Sequence, residues 1–337
     1  MADSLLSPVV GTAMCAVSAA ALAYSVAKVK KDDLCEKKIP VIGVMGAFVF
    51  AAQMINFTIP GTGSSGHIGG GILLAAMLGA SPALLAISSV LIIQCLFFAD
   101  GGLLALGCNI FNLGVIPCLV AYPLLYKPLV RKGLTNGSIT IASITAVVAG
   151  LQLGAFCVTL QTLLSGITEL PFSTFLLLMQ PIHLAIGLIE GMVTAAVLCF
   201  VYKMRPEIME SNFNQIAVKS GVSMKPILIA LALITLMAGG VLSLFVSSRP
   251  DGLEWAMEKT AGTTELEIKD SFTEGAALIQ EKTVFMPDYN FTEEEGFAMG
   301  TSAAGIAGSV ITFLFAGIAA LIISLVKKKQ KGSADTA

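Results

Sequence analysis

The sequence predicts an all-α fold, a polytopic membrane helix bundle with about nine transmembrane helices. Hydrophobic residues make up 55% of the 337 positions and charged residues only 12%, whereas soluble domains carry roughly 25% charged residues. The mean hydropathy is +0.85. Apolar segments close to the length of about 20 residues that a membrane helix needs recur along the whole chain. These observations predict a multi-pass membrane protein.

Nine apolar segments are the candidate spans. In chain order they are Val9–Ala27, Pro40–Ile59, Gly71–Ala80, Ala83–Ala99, Leu103–Tyr126, Ser138–Leu164, Phe172–Val201, Pro226–Ser247 and Gly296–Val326. Pro8 suits the first position of the first helix. The third segment is short, so it and its neighbour either count as two spans or form one re-entrant pair.

The polarity of the connections divides the chain into a membrane domain, 1–203, a polar cytoplasmic linker, 204–225, and a second module, 226–331. We predict that this module is a hairpin of two membrane helices around an outer loop, 249–295. Turn dipeptides, Asp-Gly near its start and Pro-Asp near its end, delimit that loop.

Basic residues indicate the orientation of the bundle. They cluster at 28–38, 127–132 and 203–225 and in the C-terminal tail, and basic loops favour the cytoplasm. Nine spans then place the N-terminus outside the cell membrane and the C-terminus in the cytoplasm. The loop 249–295 has 12 acidic and 4 basic residues, which is typical of a solvated acidic surface but would also attract cations.

A glycine-rich bend, Gly61–Gly71, follows the second candidate span and carries His67, one of two histidines in the chain. We expect Pro60 to end the preceding helix, because proline lacks an N–H. Neutral imidazole is the commonest protein ligand for transition metals, so the bend indicates an ion site. A loop histidine bonded to a carbonyl is the alternative. The bend also matches G-x-G-x-x-G, but the segment before it is a membrane helix rather than a strand, which argues against a nucleotide site.

Polar side chains in or beside the predicted spans are further candidates. Asn56, Gln94, Asn109 and Asn112 are candidates to orient a histidine ligand through hydrogen bonds, or they join neighbouring helices.

His183 and Glu190 are seven residues apart and so share one helix face. A titratable pair in a membrane helix is a functional candidate, and a buried structural contact is the alternative. Gly187 and Gly191 of the same segment predict close packing against another helix.

Several motifs resemble those of one transporter family. They are Gln53-Met-Ile-Asn-Phe57, Gly66-His67, Phe98-Ala-Asp-Gly-Gly-Leu103, Gly107-Cys-Asn-Ile-Phe-Asn-Leu-Gly114 and His183-Leu-Ala-Ile-Gly-Leu-Ile-Glu-Gly191. Together they resemble the CbiM/NikM family, the substrate-specific components of energy-coupling-factor transporters for cobalt and nickel. Pro250-Asp-Gly-Leu-Glu254 and Met286-Pro-Asp-Tyr289 resemble the companion component, CbiN/NikN, here fused. The resemblance covers nearly the whole chain and implies seven helices plus two.

The resemblance also implies a set of metal ligands. The family binds its divalent ion with the N-terminal amine, here that of Met1, with a histidine at the second position and with the histidine of the bend, here His67. This chain begins Met1-Ala2, and Asp3 and Ser7-Pro8 stand two positions too early for the family pattern. We therefore expect the native start to lie two residues upstream, where Met-His would complete the ligand set.

The function that the resemblance implies is binding of Co²⁺ or Ni²⁺ by the membrane component of an ATP-driven importer. It implies no enzymatic activity, no cofactor other than the transported ion and no nucleic-acid partner. The partners it implies are a transmembrane coupling component and cytoplasmic ATP-binding subunits, with membrane lipid around the bundle. The family name gives a slight preference for cobalt and links the chain to cobalamin biosynthesis.

Two other functions stay open at this point. One is a proton-coupled secondary carrier with His183 and Glu190 as its relay. The other is a membrane enzyme in which Asp100, His183 and Glu190 handle protons.

We predict that adding Met-His ahead of Met1 tightens Co²⁺ or Ni²⁺ binding strongly. The free amine, the second-position amide and its imidazole would form fused chelate rings, and His67 would close the fourth position of a square-planar set. Because these nitrogens bind the metal deprotonated, binding should weaken as the pH falls. A tag ahead of the added pair removes the free amine and should cancel the gain. Metal titration of the three proteins tests this, and equal affinity in all three would exclude the N-terminus from the site.

Overall fold

The computed structural model describes residues 1–31, 35–168, 170–214, 225–264, 266–268, 270–291 and 298–334. These residues form a helical bundle with one very short β-hairpin. Its helices are α1 Pro8–Lys31, α2 Cys35–Gln53, α3 Gly71–Leu78, α4 Ala80–Phe98, α5 Leu106–Val130, α6 Asn136–Ser165, α7 Phe172–Met204, α8 Pro206–Asn214, α9 Lys225–Gly240, α10 Gly252–Ala261, α11 Ser271–Glu281 and α12 Ala298–Ala334. Strand β1 Phe57–Thr58 pairs antiparallel with β2 Ser65–Gly66.

The predicted all-α membrane bundle is confirmed. Within the described ranges, seven helices are long and apolar enough to cross a membrane: α1, α4, α5, α6, α7, α9 with its extension to Phe245, and α12. Helix α2 adds a shorter apolar stretch, Ile39–Gln53. The predicted count of nine spans is not confirmed, because the third segment forms only the eight residues of α3. At about 1.5 Å per residue such a helix is roughly 12 Å long.

The second span ends earlier than we predicted. Helix α2 ends at Gln53, seven positions before Pro60, so proline is not what ends it. The Gln53 side-chain amide donates a hydrogen bond to the Gly69 carbonyl at 2.9 Å. The chain between them turns back through the β1–β2 hairpin. Residues 54–70 are therefore a non-helical connection that leads directly into α3.

Helix α3 lies in the centre of the bundle, and all eight of its residues are buried. It contacts α2, α4, α5, α6, α7 and α8. Helix α8 occupies part of the predicted polar linker 204–225, whose residues 215–224 lie outside the described residues. Its Asn212 is buried and donates hydrogen bonds to the carbonyls of Ala75 and Ala76, at 3.2 and 3.0 Å. The start of this linker is thus a helix that packs against the end of α3.

Close contact between α6 and α7 follows from two glycines, as the sequence predicts. A Cβ atom on Gly191 would lie 2.8 Å from the Cα atom of Ile144, and one on Gly187 would lie 3.2 Å from the Cα atom of Val148. These distances leave no room for larger side chains. The pairing fixes the face of α7 that carries His183 and Glu190.

The loop 249–295 contains two helices, α10 and α11, that we did not predict from the sequence. Each begins at an aspartate that caps the helix: Asp251 accepts hydrogen bonds from the N–H groups of Leu253 and Glu254, and Asp270 accepts one from Thr273. Such caps satisfy backbone donors that the first turn leaves free. Glu265, Lys269 and residues 292–297 of this loop lie outside the described residues.

The second module packs on the first through α9 and α12, which both contact α2 and each other. Gly239 of α9 and Gly305 of α12 face one another, and a Cβ on Gly239 would lie 2.9 Å from the Gly305 carbonyl oxygen. Small residues let membrane helices approach in this way.

We predict that Gly305→Ala lowers the thermal stability of the protein in detergent, because the new methyl group would collide with the backbone of α9. Overpacking of this kind costs about 1–3 kcal/mol. Gly317→Ala on the same helix is the matched control, since a Cβ there meets nothing within 4 Å. Its melting temperature should equal or exceed that of the parent. Equal melting temperatures for both variants would contradict the packing described.

Candidate metal site

A cavity of about 140 Å³ lies where the glycine-rich bend meets α5, α6, α7 and the start of α10. It brings together most of the residues that the sequence singled out. The predicted residues on its wall are Met1, His67, Asn109, Asn112, His183 and Glu190. Two further candidates, Asn56 and Gln94, are not among its lining residues. Asp251 of the second module also lines it.

The N-terminal amine is held at the cavity wall by a side chain of α5. The Met1 nitrogen donates a hydrogen bond to Asn109 Oδ1 at 3.0 Å, and the Asn109 amide donates to the Met1 carbonyl at 3.3 Å. The Gly102 N–H also donates to that carbonyl, at 3.2 Å. Leu5 and Leu6 are fully buried and anchor the arm.

Asp3 is a second anchor of the N-terminal arm, and sequence reasoning used it only as a marker of the family pattern. Its Oδ1 accepts a hydrogen bond from the Ala105 N–H at 2.7 Å, just before α5 begins. Burial raises the pKa of the Asp3 carboxyl above its ordinary value, and hydrogen bonds from nearby backbone N–H groups oppose that rise. Gly102 is tightly packed against this carboxylate and leaves no space for a side chain. An aspartate shortly before a proline-led helix is a weak sequence signal for such an anchor.

His67 lies directly after β2 and faces the cavity. Its Nδ1 is 3.3 Å from the carbonyl oxygen of Ile68. In the tautomer with the proton on Nδ1, this contact leaves the Nε2 lone pair available to a metal ion. The contact of His67 with a backbone carbonyl, which we considered as the alternative to metal binding, is therefore compatible with a role as a metal ligand.

His183 and Glu190 both line the cavity but bond to different backbone groups. His183 Nδ1 is 2.8 Å from the Met179 carbonyl in its own helix. Glu190 Oε1 accepts the Gly70 N–H at 2.9 Å, at the start of α3. The predicted sharing of one helix face is confirmed, and the two side chains make no hydrogen bond with each other in the described structure.

Three of the four polar residues that we proposed as supports of a histidine have other side-chain partners among the described residues. Asn112 of α5 exchanges hydrogen bonds with Gln161 of α6, at 2.9 and 3.2 Å, which corresponds to the interhelical alternative. Asn109 holds Met1, and Gln94 lies near Tyr289. Asn56 accepts the Ser247 N–H only through its backbone carbonyl, and its side-chain Oδ1 has no partner in the described part of the chain.

The second module covers the bend that carries His67, a contact that sequence reasoning missed. The Ser65 N–H donates to the Pro250 carbonyl at 2.8 Å, and the Ser65 hydroxyl donates to the Arg249 carbonyl at 2.7 Å. The Trp255 indole N–H donates to the Thr62 carbonyl at 3.0 Å. These partners are more than 180 positions apart, so no local pattern reveals them.

Side chains alone do not complete a metal site in the described part of the chain, where no group of three or more His, Cys, Asp or Glu residues is arranged to hold an ion. The residues on the cavity wall that carry an amine or an imidazole include Met1, His67 and His183.

Comparison with known proteins places these features in context. Residues 1–208 match the CbiM family, described as cobalt uptake substrate-specific transmembrane region, and residues 225–325 match the PDGLE domain. A putative fused nickel transport protein NikMN of Archaeoglobus fulgidus is 31% identical over 296 residues, covering 88% of this chain and 89% of its own. A cobalt transport protein CbiM of Sorangium cellulosum is 30% identical over 173 residues, covering 51% of this chain and 76% of its own.

Two solved structures are similar to about three fifths of the chain. A transition metal transporter has a TM-score of 0.54 and 26% identity, and it covers 63% of this chain and 97% of its own. A truncated transition metal transporter has a TM-score of 0.53 and 27% identity, with 60% and 98% covered.

Proposed function

Because the chain belongs to the CbiM family and carries a PDGLE domain behind it, we propose that it captures Co²⁺ or Ni²⁺ for import across the cell membrane. It is a multi-pass membrane protein with fused nickel transport proteins among its relatives. The transported ion is its substrate, and the bundle holds that ion during transfer.

The observation that carries this proposal is the convergence of the Met1 amine and His67 on one cavity. They come from opposite ends of a 67-residue stretch, and each is fixed by neighbouring groups. Nitrogen donors suit Ni²⁺ and Co²⁺ better than they suit Mg²⁺ or Ca²⁺, which prefer oxygen. The preference between cobalt and nickel would depend on the donors that complete the set around these two nitrogens.

The proposal includes the partners and the orientation that the resemblance implies. Cytoplasmic ATP-binding subunits and a transmembrane coupling component would supply the energy. Residues 1–203 would capture the ion, and 226–331 would act as the companion module behind the linker 204–225. The N-terminus and the cavity mouth would face outward, and the C-terminus would face the cytoplasm.

The proton-coupled carrier remains the second candidate, since His183 and Glu190 line the same cavity. Their hydrogen bonds to separate backbone groups do not form a direct relay. ATP-dependent uptake that is insensitive to an uncoupler would reject the carrier. Metal binding without turnover of any substrate would argue against an enzyme.

We predict that His67→Ala abolishes high-affinity binding of Co²⁺ and Ni²⁺ and leaves folded protein in the membrane, because it removes an imidazole donor from the cavity. Isothermal titration with purified protein measures the loss. Thr58→Ala is the control, since Thr58 lies in strand β1, just before the bend, and is exposed and outside the cavity. A His67→Ala protein that binds as tightly as the parent would show that His67 is not a ligand.

We also predict that the charges at the start of α10 speed loading without forming the primary ligand set. Asp251 lines the cavity, and Asp251 and Glu254 cap each other's backbone N–H groups. Asp251→Asn with Glu254→Gln keeps these acceptors and removes both charges, so it should slow uptake and spare the equilibrium Kd.

The matched control for this pair is Asp270→Asn with Glu274→Gln at the start of α11, in the same loop but outside the cavity lining. It makes the same change of charge and should transport like the parent. A large rise in the Kd of the first pair, or equal slowing by both pairs, would contradict a role in loading.

A further inference from the structure

Glu190 differs from the other buried groups of the cavity because one of its carboxylate oxygens has no hydrogen-bond partner among the residues that the structure describes. The side chain is only 2% exposed. Its Oε1 accepts the Gly70 N–H, whereas Oε2 is inaccessible to solvent and accepts no hydrogen bond from the described part of the chain. Burying a carboxylate oxygen without a hydrogen-bond donor costs free energy. A cation that binds to this oxygen for part of the transport cycle would offset that cost.

A glycine of the bend packs against this carboxylate. A Cβ atom on Gly69 would lie 3.3 Å from Glu190 Oε2 and 3.4 Å from Oε1, so a larger side chain would press on both oxygens. Gly69 stands two positions after His67 on the bend. The unpartnered oxygen therefore lies beside the stretch of the bend that carries the proposed ligand.

The path of the bend along α7 gives the order of these groups. Gly252 of the second module lies against His183, Gly66 lies against Ile186, and Gly69 lies against Glu190. His183 and Glu190 are seven residues apart, which is about 10 Å along a helix axis. Glu190 is thus at the end of the cavity next to α3, and the module that covers the bend is at the other end.

The chemistry of a carboxylate suits a position that the ion occupies only briefly. Co²⁺ and Ni²⁺ bind imidazole and amine nitrogen more strongly than a single carboxylate oxygen. Passage through a protein requires sites weak enough to release the ion. Nitrogen ligands near His67 would capture the Co²⁺ or Ni²⁺ ion. The carboxylate oxygen of Glu190, farther along the bend, would then bind the ion more weakly.

We propose that Glu190 is the second cation position of this protein, where its free Oε2 binds the divalent ion as the ion leaves His67 towards α3. The inference rests on the proposed function, since it takes Co²⁺ or Ni²⁺ as the substrate. The contrasting role is a structural one, in which Glu190 only holds the bend through the Gly70 N–H.

Glu190→Gln separates these two roles. Glutamine has the same shape and keeps a carbonyl oxygen for the Gly70 N–H, but it loses the charge that binds the ion. In the full chain, the Kd for Co²⁺ should change by less than about threefold. Uptake by cells that express the complete transporter should fall by about tenfold or more, the lower end of losses seen when groups around a metal site are removed. Parent-like uptake by this variant would overturn the proposal.

A second variant tests the same oxygen without altering Glu190. Gly69→Ala places a methyl group against Oε2 and should also slow uptake while the protein still binds Co²⁺. The matched control for Glu190→Gln is Glu274→Gln, which changes an exposed glutamate of α11 and should leave uptake unchanged. Parent-like uptake by Gly69→Ala would overturn the proposal.

Direct contact with the ion is tested by titrating Co²⁺ alone into the His67→Ala protein. This protein should keep a weak binding site, which should disappear in the His67→Ala/Glu190→Gln double variant. Equal residual binding in both would overturn the proposal. If the parent chain neither binds nor imports Co²⁺ or Ni²⁺, the proposed function itself fails. If the parent does both and the Glu190→Gln variant behaves like the parent, only the inference about Glu190 is rejected.

Discussion

The structure depends on one constraint: the chain must keep a non-helical segment packed within a helix bundle with its backbone groups satisfied. Buried backbone N–H and C=O groups need hydrogen-bond partners. Here Gln53 donates to the Gly69 carbonyl, Glu190 accepts the Gly70 N–H, and Pro250 accepts the Ser65 N–H. The helix before the bend and two elements remote in sequence thus hold one bend, and His67 lies within it. A straight second helix that continued into the third would bury its backbone more simply but would present no imidazole to a cavity.

The N-terminal arm is also held in place by specific contacts. A free chain end is usually mobile, but two buried leucines, the Asp3 carboxylate and the Asn109 amide fix this one. The arm that begins at Met1 is therefore held against the cavity wall rather than left flexible. A segment that is already ordered loses less freedom when it takes part in binding.

Much of the fold and the identity of the candidate residues could be predicted from the sequence, since hydropathy marks membrane helices and histidine is rare here. Their convergence could not be predicted, because it depends on the path of residues 54–70, which no periodic pattern describes. Pro60 misled the prediction of where α2 ends, since the helix ends at Gln53, seven positions earlier. Asp251 and Glu254 form a capping box, a sequence signal that would have revealed α10. The contact of Ser65 with Pro250 joins residues 185 positions apart and has no local signal.

The covering of the bend by the second module has a consequence that follows from its covalent linkage to the first. A partner tethered in the same chain is present at a high effective concentration, so a weak contact suffices to keep it in place. The hydrogen bonds that Ser65 and Trp255 make between the bend and the second module can therefore break and re-form without loss of the cover. Fusion also fixes the stoichiometry at one cover for each cavity. If the second module were a separate protein of equal affinity, a fraction of the cavities would be uncovered at any moment.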